Sequence, residues 1–562
     1  MSPSQTHAFL AAALVVAGCT QGDIGSGPDE VGEGELGGAV DEGGGSAPSA
    51  DVGGGNPAGG SSATSGGNGA GGGGTAPAVI DCSHQGSGID YQVGPGKAFE
   101  NIGDVPFESL LAGDTVRIFW RAAHYHEKLM IGGVGTADQP IRVCGVAGPN
   151  GELPVIDGDG ATTRPSLQFP FDGHQSRGLV VIGHEHDAPY DEQPAHILLE
   201  SLEIINASPE NPYIDKYGQT QTYFDSAAGV FVQRADDVTV RGCVVHDNNN
   251  GLFIGTSGDT ELTQRVLIEG NYIHSNGSLT DYYHHNVYNE ASGVIYQFNR
   301  FGEPRAGAGG EVLGANIKER SAGVTIRYNW IEDGAHLIDL VDAQEAASST
   351  LPMPTFHESF IYGNVLLRTG THKGSMVHYG GDSGIFEHYR KGTLFFYENT
   401  VIVNNEGGAD YDRPAVFQIS TNDETLVAAN NIFYSPVAPG ALSPIVLLGV
   451  HDGSTDGVAS FVGNWVTTGW SPFDPFPGSN IVAEVSGLGG SIFGASPGFL
   501  GADVGDFRLA PKAAALGAGV DLAAVMPSAA PVTFEYVLHQ TGKPRAPEAP
   551  PTIGAMTADI SK

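Results

Sequence analysis

Positive charge is scarce in this sequence: 26 Lys and Arg stand against 64 Asp and Glu among 562 residues, a formal charge of −38. So acidic a chain repels phosphate backbones, which argues against nucleic acid as a partner. Long apolar runs are missing as well. Apart from a short stretch near the start, no segment is apolar for long enough to cross a bilayer. Cysteine occurs only four times. No His or Cys spacing matches a zinc site, and no loop has the spacing of an EF-hand.

Glycine, by contrast, is abundant, with 83 residues. Many fall in residues 22–76, a run of Gly, Ser, Ala and Asn that cannot bury enough apolar surface to fold and reads as a disordered linker. A coil of that length spans on the order of 40 Å. No Lys or Arg precedes Lys97, while Asp23, Asp29, Glu30, Glu33, Glu35, Asp41, Glu42 and Asp51 do, so the linker is acidic. Ahead of it, "FLAAALVVAGC" has the outline of a secretory signal. Its "VAGC" resembles the bacterial lipoprotein box. The resemblance implies cleavage before Cys19, lipidation of its sulfur and a protein tethered to the cell envelope, at the outer membrane or cell surface. The region before the apolar run departs from that pattern in having no Lys or Arg. In an exported, oxidising setting Cys82 and Cys144, both near the start of the folded part, are candidates for a disulfide. Cys243 has no partner in this scheme and reads as a buried small apolar residue.

From about residue 197 one phrase recurs: a short strand, often a Gly or an aromatic, then Asn, then a second apolar pair. It reads "VLIEGNYIHSN", "VIYQFNRFG", "VTIRYNWIEDG", "FIYGNVLLRTG", "LFFYENTVIVNN", "LVAANNIFYS" and "SFVGNWVTTG". Its Asn falls at Asn271, Asn299, Asn329, Asn364, Asn399, Asn431 and Asn464, with Cys243 one unit earlier, at spacings of 28, 28, 30, 35, 35, 32 and 33. Strands at that period, between turn residues, indicate a solenoid whose strand-only form is the parallel β-helix. Coils stacked about 4.8 Å apart let each Asn amide bond the next, forming an internal ladder that Cys243 caps.

The region from about 78 to 555 resembles bacterial right-handed parallel β-helix proteins of the polysaccharide lyase type. The opening "YQVGPGKAFENIGDVPFESLLAGDTVRIFW" with "QPIRVCGV" is similar to their first coils, and "ASPGFLGADVGDFRLAPKAAALGAGV" with "GKPRAPEAPPTIGAM" to their closing segment. The expected class is all-β, a single-stranded right-handed parallel β-helix. The expected divisions are a signal (1–19), the linker (20–77), amino-terminal coils and cap (78–196), central repeats (197–490) and carboxy-terminal coils and tail (491–562). A monomer is expected.

Stacking lets an alignment of coils stand in for neighbourhood. "NVYNEASGVIYQFN" (286–299) lies on "NIKERSAGVTIRYN" (316–329) at a constant offset of 30, placing Tyr288 on Lys318 and Glu290 on Arg320. "LIDLVDA" then brings Asp339, "MVHYGGD" His378 and "VFQIST" Gln418. The prediction is an external column of Tyr288, Lys318, Asp339, His378 and Gln418, with ion pairs Glu290–Arg320 and Lys318–Asp339. Arg327 faces outward on the coil's next strand. Of His284 and His285, which point to opposite faces, His285 is assigned to the groove. His246 and His274 should stack, near Asp247.

Tyr, Lys, Asp and His on one face are what proton abstraction requires. For β-elimination from a uronic acid polymer, Lys318 is the candidate base, Arg320 the charge stabiliser, Tyr288 or His378 the acid, and His285, Glu290, Arg327 and Gln418 substrate contacts. Neutralisation by Ca²⁺ on Asp339, Asp342 or Glu290 is a second route. The resemblance extends in part to the chondroitinase B and alginate lyase group, in which a Lys precedes Ser in a "KS" pair and an Arg follows in an "RHG" segment on the next coil; aligning "RSAGVTIRYN" to that pattern puts Ser321 and Asn329 on matching positions. Arg320 stands where its Lys should be, and Val341 where its Arg should be. Either Lys318 takes the base role or another reaction is performed. The "NTD" and "GHG" motifs of polygalacturonase-like hydrolases are absent. A hydrolase through Asp339 with Asp342, Asp382 or Glu290 stays open, as does a non-catalytic, carbohydrate-binding solenoid. Exposed ion pairs that contribute little are the structural alternative for Glu290 and Arg320.

Overall fold

The computed structural model describes residues 80–558 except 190, 257–261, 370–374, 405–414, 438–443, 449–457 and 476–483. The Cys19 signal and the whole linker lie outside the described residues. Three long sheets of 13, 14 and 11 strands wind around one apolar interior. Successive coils pair in parallel, as in Thr325–Arg327, Trp330–Glu332 and Ile338–Leu340, each stacked on the equivalent strand of the next coil. No helix among the described residues is long and apolar enough to cross a membrane.

The Asn ladder forms as the repeat predicts. The backbone N–H and side-chain amide of Asn271 both donate to Asn299 Oδ1 at 3.0 Å, and Asn299 does the same to Asn329. The pattern continues through Asn364, Asn399, Asn431 and Asn464, all fully buried. Cys243 ends it, its N–H donating to Asn271 Oδ1 at 2.9 Å. Burial pushes the Cys243 thiol up to about 12, so it is held as an inert neutral group.

The residue before each rung explains the "Gly or aromatic" of the repeat. Gly242, Gly270, Phe298, Tyr328, Gly363, Glu398, Asn430 and Gly463 all have φ between 50° and 65°. A left-handed residue is needed there to turn one strand into the next, and Gly adopts it without strain. Where a side chain is present it is used: Phe298 and Tyr328 stack at 5.6 Å. A second ladder joins Asn248, Asn276, Asn286 and Asn316 at another turn. Sequence periodicity misses it because residues 277–285, between two of its rungs, break the spacing.

Cys82 and Cys144 are bonded, tying the segment before the first strand, Asp90–Val93, to the strand Ile141–Val146. At the other end, Ile492–Gly494 is the last strand to join a coil. The segment after it differs from the expected coils: two antiparallel hairpins run back along the solenoid. Phe507, Tyr536 and Met556 pack on Trp330, Val365 and Ile402, while Phe534 meets Phe298 and Tyr328 edge-on. The outward apolar row of Trp330, Val365 and Ile402 and the turn aromatics Phe298 and Tyr328 are thereby removed from water, which coil-to-coil stacking does not achieve.

Asn329→Ala leaves two buried donors of Asn299 without an acceptor. We expect a loss of about 3 kcal/mol, read as a lowered urea midpoint; a change below about 0.5 kcal/mol would mean that the turn readmits water.

Candidate functional site

Strands of the 14-stranded sheet alternate inward and outward side chains. Ile317 and Glu319 enter the interior, where Glu319 accepts from Asn289, Tyr296 and the Ser321 N–H. Lys318, between them, faces out. Residues paired with it build one column through Phe231, Phe253, Tyr288, Lys318, Asp339, His378 and Gln418. The register from Tyr288 to Gln418 is the one the sequence alignment predicts.

The openness of that column is not as predicted. Tyr288, Lys318, Asp339 and His378 are each at most 6% exposed. Segments leaving the ends of Ile338–Leu340 and Val377–Tyr379 fold over them and contribute Asp342 and Asp382. The fully buried Arg390 anchors this cover by donating to the backbone oxygens of Glu319, Ser321 and Val341.

Under the cover the charges are paired. Lys318 Nζ lies 2.7 Å from Asp339 Oδ2 and also bonds Asp382. Arg320 takes Asp342 and Asp382, each at 3.3 Å, in place of the expected Glu290. Asp382 reaches it from 62 residues along the chain, a closure that no coil alignment displays. Burial alone would lower the Lys318 pKa, but Asp339 and Asp382 outweigh it and hold the amine charged. A charged lysine saturated by two carboxylates is a poor base, so the assignment of Lys318 as base fails on this geometry. The carboxylates named for Ca²⁺ face cations of the protein, Asp339 through Lys318 and Asp342 through Arg320. Asp342 Oδ1 also accepts the Asp382 N–H at 2.9 Å, while its Oδ2 is buried without a hydrogen-bond partner among the described residues.

His378 is held on both sides, by Asp339 Oδ1 and Ser420 Oγ at 2.7 Å each. This Asp–His–Ser array is a clamp. Ser420 is fully buried and its Oγ also exchanges hydrogen bonds with the Gly381 N–H and C=O. Gln418 accepts from Ser375 beside it. His285 Nδ1 accepts the Ala315 N–H, and its ring lies parallel to Tyr288 at 6.2 Å. His284 turns to Asp281 at 2.8 Å. Arg327 does not belong to the site: it lies on the 13-stranded sheet, bonded to Gln297 and Tyr362. His246 and His274 stack at 4.8 Å, with Asp247 bonded to His246.

Glu290 accepts from the Tyr288 hydroxyl at 2.6 Å and hydrogen bonds the half-buried Glu345. Burial, and then the Glu345 charge, push its carboxyl well above the usual range. Two carboxyls in contact cannot both ionise at low cost, so the pair retains a proton. Asp382 is the opposite case. Burial opposes its ionisation, but Lys318 and Arg320 prevail and hold it well below the usual range. Its side chain is 32% exposed, with Oδ2 bonded to Lys318 and Oδ1 to Arg320.

Beyond Tyr288 the column turns aromatic: Phe253 stacks on Tyr288 at 4.7 Å and Phe231 lies 5.5 Å from Phe253. The Arg177 guanidinium sits 5.7 Å from the Phe231 ring and 6.0 Å from Phe224, within the influence of the Glu345 charge. Its nitrogens make no hydrogen bond or ion pair with any described residue. Phe171 and Phe224 stay exposed around it, and Tyr282 and Tyr283 flank the His284 that approaches Asp225. Coil alignment misses Arg177, which directly precedes its strand four coils before Lys318. It also misses Glu345, in "DAQEA", on a loop much longer than the one at the same place in the preceding coil.

A sequence family described as "Right handed beta helix region" matches residues 220–433. No curated protein matches the chain. Among solved structures, the chain is similar to a double mutant of the tailspike protein of E. coli bacteriophage HK620, at 12% identity, 73% of this chain, 61% of that one and a TM-score of 0.40. It is similar to pectate lyase Pel9A at 11% identity, 84% of this chain, 96% of that one and 0.40. The alginate lyase from Paenibacillus sp. str. FPU-7 follows at 12%, 68%, 95% and 0.30.

Asp339 and Asp382 have depressed pKa values, so their stabilising effect is present above the unfolded carboxylate value of about 4 and is lost as pH falls through the folded values. Lys318→Ala removes the lysine cation from Asp339 and one of the two cations on Asp382, and is expected to cost about 3–5 kcal/mol at neutral pH. Acidification shrinks the difference; thermal melts of both proteins from pH 7 downward read the two effects.

Proposed function

We infer that this face binds an acidic polysaccharide and hydrolyses it, with the Glu290–Glu345 pair as acid and Asp382 as the ionised carboxylate. The observation carrying this reading is the opposite setting of two carboxyls beside one column: Glu290 takes the Tyr288 hydroxyl at 2.6 Å, whereas Asp382 is bonded by Lys318 and Arg320, and their ionisation is pushed in opposite directions. Environments that push two carboxyls apart supply a proton donor and a base at the same pH. The retained proton goes to the glycosidic oxygen as the bond breaks, and Asp382 serves the anomeric carbon directly or through a water. Tyr288 fixes the Glu290 carboxyl, and Lys318 keeps Asp382 ionised, a supporting role in place of the base.

The aromatic stretch of the column and the exposed Phe171, Phe224, Tyr282 and Tyr283 suit stacking against sugar rings. Arg177, a cation on an aromatic floor with no ion-pair partner among the described residues, suits a carboxylate or sulfate on the polymer. The setting proposed is extracytoplasmic, with anchoring through Cys19 as its further element; the Cys82–Cys144 bond fits an oxidising compartment.

Incubation of the protein with alginate, pectate, chondroitin, heparan and bacterial exopolysaccharides should release reducing ends from at least one polymer, without ultraviolet-absorbing unsaturated ends. Glu290→Gln and Asp382→Asn should each lower kcat by about 10²–10⁴-fold. Activity should fall on the alkaline side as the Glu290–Glu345 proton is lost. Unsaturated ends would establish elimination instead, and retention of polymer without cleavage would establish a binding solenoid. Arg177→Ala should raise KM on the acidic polymer by about 10–100-fold with kcat little changed.

A further inference from the structure

A second cluster of chemistry-bearing side chains lies on a different sheet. In "HYH", residues 124–126, Tyr125 is fully buried and bridges to Ile156. Its N–H donates to the Val155 oxygen at 2.9 Å, and its own oxygen accepts from the Asp157 N–H at 2.8 Å. With Tyr125 inward, alternation turns both His124 and His126 outward, next to Asp157, which ends the first strand of the 11-stranded sheet, Val155–Asp157. Both imidazoles are exposed, and one donor atom from each of His124, His126 and Asp157 can be chosen so that all three lie within 4.8 Å of one another.

The surroundings orient these donors. Asp157 Oδ1 is occupied by the Asn206 amide at 2.8 Å and the Asp159 N–H at 3.0 Å, while Oδ2 faces His124 Nδ1 at 2.8 Å. Burial opposes ionisation of Asp157, but hydrogen bonds from His124 and Asn206 hold its carboxyl below the usual range. His126 Nδ1 meets the Asp159 carbonyl at 2.8 Å; since a carbonyl only accepts, Nδ1 carries the hydrogen and the Nε2 lone pair is left free. A backbone carbonyl fixing the tautomer of an imidazole is the usual support behind a metal-binding histidine. The nearby Glu203, paired with His246 at 3.1 Å, adds negative charge that His124 feels.

We propose that His124, His126 and Asp157 form a site for a divalent transition ion that prefers imidazole, of the Zn²⁺ or Ni²⁺ kind. Two nitrogens and one carboxylate oxygen, with water completing the shell, match that chemistry, whereas Ca²⁺ and Mg²⁺ want oxygen throughout. Bonds of about 2.0–2.1 Å place tetrahedral donors about 3.3 Å apart, so rotation of the two exposed rings closes the set. The bound ion clips the segment entering the strand Glu127–Ile131 to the first strand of the 11-stranded sheet. The site is independent of the proposed hydrolysis. Sequence spacing does not disclose it, because the third ligand arrives 31 residues after the second through coil stacking.

Calorimetric titration of the full chain with ZnCl₂, repeated with NiCl₂, tests it. One ion per chain should bind, at least 10-fold more weakly in His126→Ala and in His124→Ala, and unchanged in His284→Ala, which alters the separate Asp225–Asp281–His284 group. Zn²⁺ should raise the melting temperature of the wild type but not of His126→Ala. Both histidines are exposed, so the variants are expected to fold, with circular dichroism as the check. Absence of saturable binding overturns the proposal, as does saturable binding that is indifferent to both substitutions.

Discussion

The constraint on which this molecule depends is that each coil must turn by the same left-handed residue and then present a buried amide to the next coil. Eight positions in a row adopt φ near 55°, and Asn follows seven of them. Each Asn satisfies donors that would otherwise be buried without partners, so the ladder fixes the register between coils as well as stabilising them. Slippage by one residue would turn Lys318 into the apolar interior and Ile317 into the cover. The outward column exists because the ladder forbids that slippage.

Register then governs electrostatics. An acidic chain places Lys318 and Arg320 on adjacent outward positions of a single coil, and three Asp side chains from later coils converge on them. Those cations carry the cost of burying the carboxylates and keep Asp382 ionised at the edge of the column. Their concentration in the sequence is thus explained by the fold before any substrate is considered. Arg177 is different in kind, since its neighbours among the described residues are aromatic faces, which leaves its charge available for an external anion.

The stretches where the fold departs from simple repetition are also where its chemistry collects. Glu345 and Asp382 lie on loops that leave the coil and return, and the Glu290–Glu345 pair exists only because such a loop lies over the strand end. Regular coils supply a rigid base of fixed spacing, while the insertions bring groups within reach of it.

Much was legible in the sequence because stacking converts periodicity into neighbourhood. The Asn positions disclosed the solenoid, its ladder and the role of Cys243. A constant offset of 30 disclosed the pairing of Tyr288 with Lys318, and the same logic reached Asp339, His378 and Gln418. Side-chain direction also followed from strand alternation, which separates Ile317 from Lys318. Whether an outward residue meets water was decided by tertiary structure, since loops of unequal length carry no period that an alignment can use. Hence Lys318 became a buried counter-ion, Arg327 fell on a different sheet, and Arg320 took Asp342 and Asp382 in place of Glu290. Sequence by itself determined the coil, its register and the outward face, because these depend on local turns and repeated contacts. Only the tertiary structure decided which charges neutralise one another and which stay available, because that depends on chain segments tens of residues apart closing over the same strand.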